Sequence, residues 1–173
     1  MSLQDSFDRL WTPHRMAYIQ GEGKTSGAEA DCPFCLMRTA ADEDVLVVAR
    51  GELAFAVLNL YPYNAGHLML VPWRHVPAYD ELTPAEATEI AVLTQRALRT
   101  LRHASSAQGF NVGMNLGAVG GAGIASHLHQ HVVPRWGGDT NFMPVIGQTR
   151  VLPQLLKETR TLLAQAWTEV GPA

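Results

Sequence analysis

Three of the chain's seven histidines stand at alternate positions of one short segment, as His127, His129 and His131. Successive side chains of an extended strand point to opposite faces, so this spacing predicts three imidazoles on one face, with neighbours about 6 to 7 Å apart. The intervening Leu128 and the following Val132 would then face the core. Three histidines in register after a glycine-rich loop predict a site for chemistry.

Two kinds of chemistry use such a row of imidazoles. Metal binding needs nitrogens about 2 Å from one ion, which three histidines spaced along one strand cannot all reach, so at most one or two could be ligands. Phosphoryl or nucleotidyl transfer uses all three, because a central imidazole attacks phosphorus while its neighbours donate hydrogen bonds to the phosphate oxygens. An imidazole with an ordinary pKa of about 6.5 is largely neutral at pH 7, as a nucleophile must be. The pattern favours nucleotidyl transfer, with His129 as the nucleophile.

The chain's two cysteines lie three residues apart, at Cys32 and Cys35. Three interpretations are open: a redox pair, half of a metal site, or two incidental buried thiols. The spacing alone does not choose among them. The redox interpretation lacks an obvious βαβ context, whereas a tetrahedral zinc would need two more ligands, which His75 and His127 could supply.

The segments that must position these residues read mainly as strands. Short apolar runs separated by glycine, proline and asparagine predict strands at 46–48, 55–58 and 67–71. Alternating apolar and polar residues predict two more at 110–115 and 127–133. These runs indicate a small sheet that carries the histidine row.

Two helices are predicted within and after this set of strands. Thr83, Pro84 and Glu86 supply an N-cap, a proline at the first helical position and a glutamate at the third, and the helix would end before Gly109. A last helix is predicted from near Pro153 to 167, a short one at 5–19, and a flexible loop at 21–27. Strands with one central and one C-terminal helix favour an α+β fold with a mainly antiparallel sheet.

Length and composition bound the protein class. A chain of 173 residues with 47% hydrophobic residues predicts one domain over 1–173, with 1–31 as a partly flexible N-terminal extension. The net charge of −3 gives no overall attraction to nucleic acid or to an anionic membrane, so neither is an expected partner. No apolar run approaches the roughly 18 residues of a membrane span, and no secretory signal is evident, so a cytoplasmic protein is expected.

The histidine row and its surroundings resemble a known signature. His-φ-His-x-His-φ-φ followed by Pro134-Arg135 resembles the motif of the histidine triad (HIT) superfamily, and Asn59 and the segment 66–72 resemble the rest of that pattern. With the glycine loop after Asn115, the sequence Trp136-Gly137-Gly138-Asp139 and the C-terminal helix, residues 45–167 are similar to the diadenosine tetraphosphate phosphorylases of actinobacteria. The resemblance implies an α+β, HIT-like fold.

The resemblance also implies roles for the histidines. His129 would be the nucleophile, and His131 would donate a hydrogen bond to the α-phosphate. His127 would orient the site from its edge, with its carbonyl fixing the tautomer of His129. His67 would pack against the catalytic histidines and support the nucleotide site without contacting the reacting phosphate.

A further set of residues would bind the nucleotide. Asn59 would lie near the ribose, and Asn115 with the amides of Gly121 and Gly123 would contact phosphates, a role glycine suits because it lets the backbone approach closely. Trp136 is also expected among the nucleotide-binding residues. The loop departs from that of hydrolytic family members in lacking their glutamine.

The implied reaction has two stages. His129 would take an adenylyl group from diadenosine tetraphosphate, and inorganic phosphate would then displace it, so that the products are ADP and ATP. One alternative is a hydrolase of dinucleoside polyphosphates or nucleoside phosphoramidates, with water as the acceptor. The alternative from another class is a non-catalytic nucleotide- or zinc-binding protein.

Cofactors and assembly follow from the same resemblance. Some histidine-triad relatives and galactose-1-phosphate uridylyltransferases hold a zinc ion on a set that resembles Cys32, Cys35, His75 and His127, which implies a structural zinc here. Magnesium is expected with the substrate. A homodimer or homotetramer is expected because the resembling proteins pair their sheets and helices.

Overall fold

The computed structural model describes residues 27–139 and 155–172. Within these ranges five strands form one sheet, in the spatial order β1-β2-β3-β5-β4 with every neighbouring pair antiparallel. The strands are β1 (Val47–Arg50), β2 (Ala54–Leu58), β3 (Leu68–Pro72), β4 (Gly109–Met114) and β5 (Gln130–Arg135). The predicted antiparallel sheet is confirmed.

Three helices accompany the sheet: α1 (Pro33–Leu36), α2 (Pro84–Ser105) and α3 (Leu156–Val170), with single 3-10 turns at Glu29–Asp31 and Tyr79–Glu81. The start of α2 is as predicted, since Glu86 N–H donates to Thr83 Oγ1 at 3.2 Å and Thr83 N–H donates to Glu86 Oε2 at 2.8 Å. The one-turn helix α1 was not predicted. The predicted helix at 5–19, most of the loop at 21–27 and the expected start of the last helix near Pro153 lie outside the described residues.

The sheet has a core on each face. Helices α2 and α3 cover one face, where the buried side chains include Ala56, Leu68, Leu70, Leu101, Val132 and Leu163. The segment of α1 covers the other face, where Cys32 and Phe34 pack against Val47, Phe55, Val57, Met69 and Val71. The α+β architecture is therefore confirmed, and the segment with the two cysteines lies on the face opposite α2.

The strand register decides which side chains share that second face. His131 pairs with Met69 across β5 and β3, and His67, two residues before Met69, shares its side of the sheet. Gln130 points the other way, because its Nε2 donates to Thr94 Oγ1 of α2 at 2.6 Å. His67 and His131 therefore meet on the face away from α2.

The strand that carries the histidines starts later than predicted. The prediction placed it at 127–133, but β5 begins at Gln130. His127 N–H donates to Ile124 O at 3.3 Å and Leu128 N–H donates to Val76 O at 2.7 Å, so loops take the hydrogen bonds that a neighbouring strand would supply. His127 and His129 consequently lie in the irregular segment just before β5.

The sheet edge formed by β1 is hydrogen-bonded to the last helix, α3. Arg160 of α3 donates from Nε to Val47 O of β1 at 2.7 Å, which covers part of that edge strand. Of the helices in the part of the chain that the structure describes, none has the length and apolar character to cross a membrane.

Candidate active site

The ring of His129 has a fixed proton and a fixed lone pair. Its Nδ1 lies 2.8 Å from the carbonyl oxygen of His127, and because a carbonyl oxygen can only accept, Nδ1 must carry the proton and donate it. The lone pair is then on Nε2. Burial lowers the pKa of His129, so the ring is neutral at pH 7. This is the protonation state of a nitrogen nucleophile.

His67 and His131 form a relay of hydrogen bonds in which each ring carries its proton on Nε2, whereas His129 carries its proton on Nδ1. The main-chain N–H of Tyr63 donates to His67 Nδ1 at 3.0 Å, so the His67 proton is on Nε2. His67 Nε2–H in turn donates to His131 Nδ1 at 2.9 Å. The proton of His131 is therefore on its Nε2.

The Nε2–H of His131 has no hydrogen-bond partner among the residues that the structure describes, although the atom is buried. Burial, and then the neighbouring His129, lowers the pKa of His131 to about 4, so the ring is neutral at pH 7. Its ring centroid lies 5.1 Å from that of His129. A buried donor without a partner costs free energy, and here it stands beside a nucleophile, ready for an acceptor such as a phosphate oxygen.

Phe34 forms a wall of the site that the sequence did not reveal. Its ring centroid is 5.3 Å from that of His129 and 5.4 Å from that of His127, and the residue is 3% exposed. The available signal was its place between the two cysteines, but the contact itself joins segments about 95 residues apart. Phe34 limits the rotation of His129 and keeps water from one side of its ring.

The four predicted metal ligands come together. One donor atom from each of Cys32, Cys35, His75 and His127 lies within 4.8 Å of the others. His127 Nδ1 is 3.3 Å from Cys32 Sγ, and His75 Nδ1 is 3.3 Å from Cys35 Sγ. Adjacent nitrogen and sulfur ligands of a tetrahedral zinc are about 3.5 Å apart, so the spacing of this cluster fits zinc.

Protonation also fits a metal. His127 Nε2–H donates to Pro72 O at 2.9 Å and His75 Nε2–H donates to Gly27 O at 3.3 Å, which leaves both Nδ1 lone pairs facing the thiols. Burial lowers the pKa of His127 to about 4, so this ring is neutral. Burial and then Cys32 raise the pKa of Cys35 to about 11, and a bound dication would favour its thiolate.

The two asparagines of the expected nucleotide site lie next to the histidines. Asn59 Nδ2 donates to His67 Nδ1 at 3.4 Å, and Asn59 Oδ1 accepts from Tyr61 N–H at 2.9 Å. Asn115 directly follows Met114, which pairs with Gln130, so Asn115 adjoins the segment that carries His129. The Asn59 side chain is therefore at the site, and the backbone of Asn115 is near it.

The glycine loop uses one of its two expected phosphate-binding amides in an internal hydrogen bond. Gly121 has a φ of +86°, which favours glycine, and its N–H donates to Ala118 O at 3.0 Å. The loop itself uses this donor, so the expected phosphate contact from the Gly121 amide, which stays a prediction, would have to replace that hydrogen bond. The contact expected from Gly123 remains a prediction.

Trp136 lies away from the histidines of its own chain. It follows the far end of β5, about 16 Å along the strand from His131. Its Nε1–H donates to Ser105 O at the end of α2, at 2.9 Å. The nucleotide contact expected from Trp136 stays a prediction.

The sequence matches known proteins across this fold. The HIT domain family matches residues 40–138, more than half of the chain. The chain is 51% identical to the AP-4-A phosphorylase of Mycobacterium tuberculosis over 168 residues, which cover 95% of this chain and 86% of that protein. It is 33% identical to the asymmetrical bis(5'-nucleosyl)-tetraphosphatase of Schizosaccharomyces pombe over 89 residues, 51% of this chain and 48% of that protein.

Solved structures give the same result. A zinc-bound histidine triad family protein from Mycobacterium smegmatis has a TM-score of 0.67 at 26% identity, covering 83% of this chain and 97% of that one. A histidine triad nucleotide-binding protein from Sulfolobus tokodaii has a TM-score of 0.66 at 23% identity, covering 80% and 93%, and shares the fold. With its histidine row, its sheet and these matches, the chain belongs to the histidine triad (HIT) family.

Proposed function

We propose that this protein is a nucleotidyltransferase that cleaves diadenosine tetraphosphate by phosphorolysis and yields ADP and ATP. The observation that carries the proposal is the opposite protonation of two adjacent rings. His129 offers a lone pair at Nε2, and His131 offers a buried N–H that has no partner among the described residues. A nucleophile beside such a donor suits attack on a phosphate whose oxygens gain charge.

The first stage forms a nucleotidyl-histidine. The Nε2 lone pair of His129 forms a bond to the α-phosphorus, and the bond from that phosphorus to the bridging oxygen breaks, so ATP leaves with the electron pair. His131 Nε2–H donates to a non-bridging oxygen as its charge grows. The carbonyl of His127 accepts a hydrogen bond from His129 Nδ1–H and so stabilises the positive charge that the ring acquires.

The second stage selects the acceptor. An oxygen of inorganic phosphate attacks the same phosphorus, the N–P bond breaks, and the electron pair returns to His129 Nε2 with release of ADP. The 51% identity to a protein named as a phosphorylase supports phosphate as the acceptor. The match to a tetraphosphatase supports the alternative, a hydrolase in which water releases AMP.

Magnesium is proposed to accompany the substrate, because the two histidines that face the phosphate are neutral. Burial lowers the pKa of both His129 and His131, so the two rings are neutral at pH 7 and bring no positive charge. A tetraphosphate chain carries several negative charges. A divalent ion on that chain would supply the balancing charge.

A structural zinc is proposed at Cys32, Cys35, His75 and His127. The two thiols and two Nδ1 lone pairs support it, as does the zinc named in the similar Mycobacterium smegmatis structure. Bound there, zinc would cross-link the α1 segment to the approach to β5. Elemental analysis of purified protein should find about one zinc per chain, which a Cys35→Ser variant should lose.

The remaining nucleotide contacts and the assembly are proposals of the same kind. Asn59 would contact the ribose, and Asn115 with the Gly123 amide would contact phosphates. Within the described residues β4 pairs only with β5, and its Val112 is 46% exposed, which supports a homodimer or homotetramer built on that edge. Light scattering after gel filtration would give the copy number, and the two free cysteines agree with a cytoplasmic location.

Product analysis tests the activity. Protein incubated with diadenosine tetraphosphate and magnesium should form ADP and ATP only when inorganic phosphate is added. Formation of AMP and ATP regardless of phosphate would establish the hydrolase instead. His129→Ala should lower turnover roughly a thousandfold or more, whereas His103→Ala, an exposed histidine paired with Glu169, should not. Wild-type protein that binds nucleotides without turnover would favour the non-catalytic alternative.

A further inference from the structure

Tyr63 lies in the loop between β2 and β3, and its ring covers both imidazoles of the relay. Its ring centroid is 4.9 Å from that of His67 at an interplanar angle of 32°, and 5.7 Å from that of His131 at 34°. These distances are those at which aromatic rings attract each other. One ring therefore packs on two imidazoles at once.

The main chain of the same residue sets the polarity of the relay. Tyr63 N–H donates to His67 Nδ1 at 3.0 Å, which places the His67 proton on Nε2. His67 is fully buried, whereas Tyr63 is 46% exposed. Tyr63 thus lies between the relay and the surface of the protein.

The relay needs a ring packed against it, because an imidazole turns easily about its χ2 angle. If His131 turned, its Nδ1 would lose the 2.9 Å hydrogen bond from His67, and its Nε2–H would point elsewhere. The strand β5 fixes the backbone of His131 but not the tilt of its ring. A ring packed against both imidazoles limits that tilt.

We infer that Tyr63 is a positioning residue for nucleotidyl transfer, whose ring holds His67 and His131 in the orientation that aims the His131 Nε2–H at the phosphate. The link to catalysis rests on the function proposed above. The orientation of the two rings is a property of the free protein and can be measured without any substrate.

Three variants test the role of the ring. Tyr63→Phe retains the ring, Tyr63→Leu removes it, and Tyr61→Leu is the matched control, because Tyr61 is 80% exposed in the same loop. All three retain the main-chain N–H at position 63 and hence the bond to His67. We expect Tyr63→Phe and Tyr61→Leu to match the wild type, and Tyr63→Leu to lower kcat about tenfold with little change in KM.

The kinetic result can also overturn the inference. If Tyr63→Leu equals Tyr61→Leu in kcat, the ring does not position the relay. If Tyr63→Leu raises KM alone, the ring contacts substrate instead. Thermal unfolding of each variant, measured first, shows whether a loss of kcat comes from a folded protein, and Tyr63→Phe retains the packing volume if Tyr63→Leu is unstable.

Nitrogen-15 NMR of the histidine rings separates this inference from the proposed function. In the free wild-type protein, His67 and His131 should each show one tautomer, with the proton on Nε2. In Tyr63→Leu, the nitrogen-15 chemical shifts of His67 and His131 should move towards the average of the two tautomers, while those of His129 should not change. Unchanged shifts would overturn the inference, whereas a wild type that turns over no nucleotide would overturn only the proposed function.

Discussion

The carbonyl oxygen of His127 accepts a hydrogen bond from His129 Nδ1–H at 2.8 Å, while the ring of His127 faces the two cysteines. One residue therefore serves two groups at once, with its main chain directed to the nucleophile and its side chain to the candidate metal cluster. The position of the His127 backbone depends on what its ring binds. A change at the metal cluster should accordingly alter the position of the His129 ring.

This link predicts the outcome of His127→Ala. The variant retains the carbonyl but loses one ligand and the Nε2–H bond to Pro72 O, so the segment before β5 should become less ordered. We expect a lower zinc content, a lower melting temperature and a large but incomplete loss of kcat. Elemental analysis, thermal unfolding and steady-state kinetics measure these effects. Full zinc content in the variant would contradict the assignment of His127 as a ligand.

The donor role of His131 predicts different results for two amide replacements. The Nδ2 of asparagine lies near the position of a histidine Nδ1, whereas the Nε2 of glutamine lies near that of Nε2. His131→Asn should therefore lower kcat about 100-fold, and His131→Gln should lower it less. Equal losses in the two variants would show that the position of the donor is not what matters.

Burial of His131 also predicts how stability depends on pH. Its pKa falls from 6.5 when unfolded to about 4 when folded, so the unfolded chain binds more protons between these values. The free energy of unfolding should decrease as the pH falls from 6.5 towards 4. His131→Gln should show a smaller decrease in urea titrations over that window, at equal zinc content. Parallel curves for the two proteins would contradict the shift.

Glu86 predicts a change in a more acidic window. Hydrogen bonds from Arg74, followed by those from Thr83, outweigh burial and lower the pKa of Glu86 to about 2. The stabilisation is present above pH 4.5 and is lost as the pH falls through about 2. Glu86→Gln should destabilise the protein by about 2 kcal/mol at pH 7, and less as the pH falls, in urea titrations. The matched control Glu158→Gln, at an exposed acid in the first turn of α3, should change little.

Phe34 predicts an effect on the nucleophile without loss of the cysteines. Phe34→Leu retains an apolar side chain but removes the ring that lies 5.3 Å from His129. We expect kcat to fall about tenfold, because His129 gains rotational freedom and contact with water. Zinc analysis is the control, since the ligands are intact. A normal kcat with full zinc content would show that the ring is dispensable.

Local sequence was sufficient for part of the fold. The start of α2 depends on Thr83 and Glu86, three residues apart, and the side of the sheet that His131 shares with Met69 follows from strand alternation. Interactions between residues two or three positions apart depend on the local sequence, so the local pattern predicts them. The same reasoning misplaced the start of β5, because the hydrogen bonds of His127 and Leu128 go to loops that the pattern does not show.

By itself, the sequence determined which residue types could do the chemistry: alternating histidines, a cysteine pair and an intact family motif. The tertiary structure decided where their protons and partners lie. His127 and Cys32 are 95 residues apart, and the relay from His67 to His131 spans 64. The contacts of Phe34 with His129 and of Tyr63 with His131 form only when strands and loops pack together. Contacts between residues so far apart in the sequence depend on burial of the whole core, and they leave no periodic pattern in the sequence.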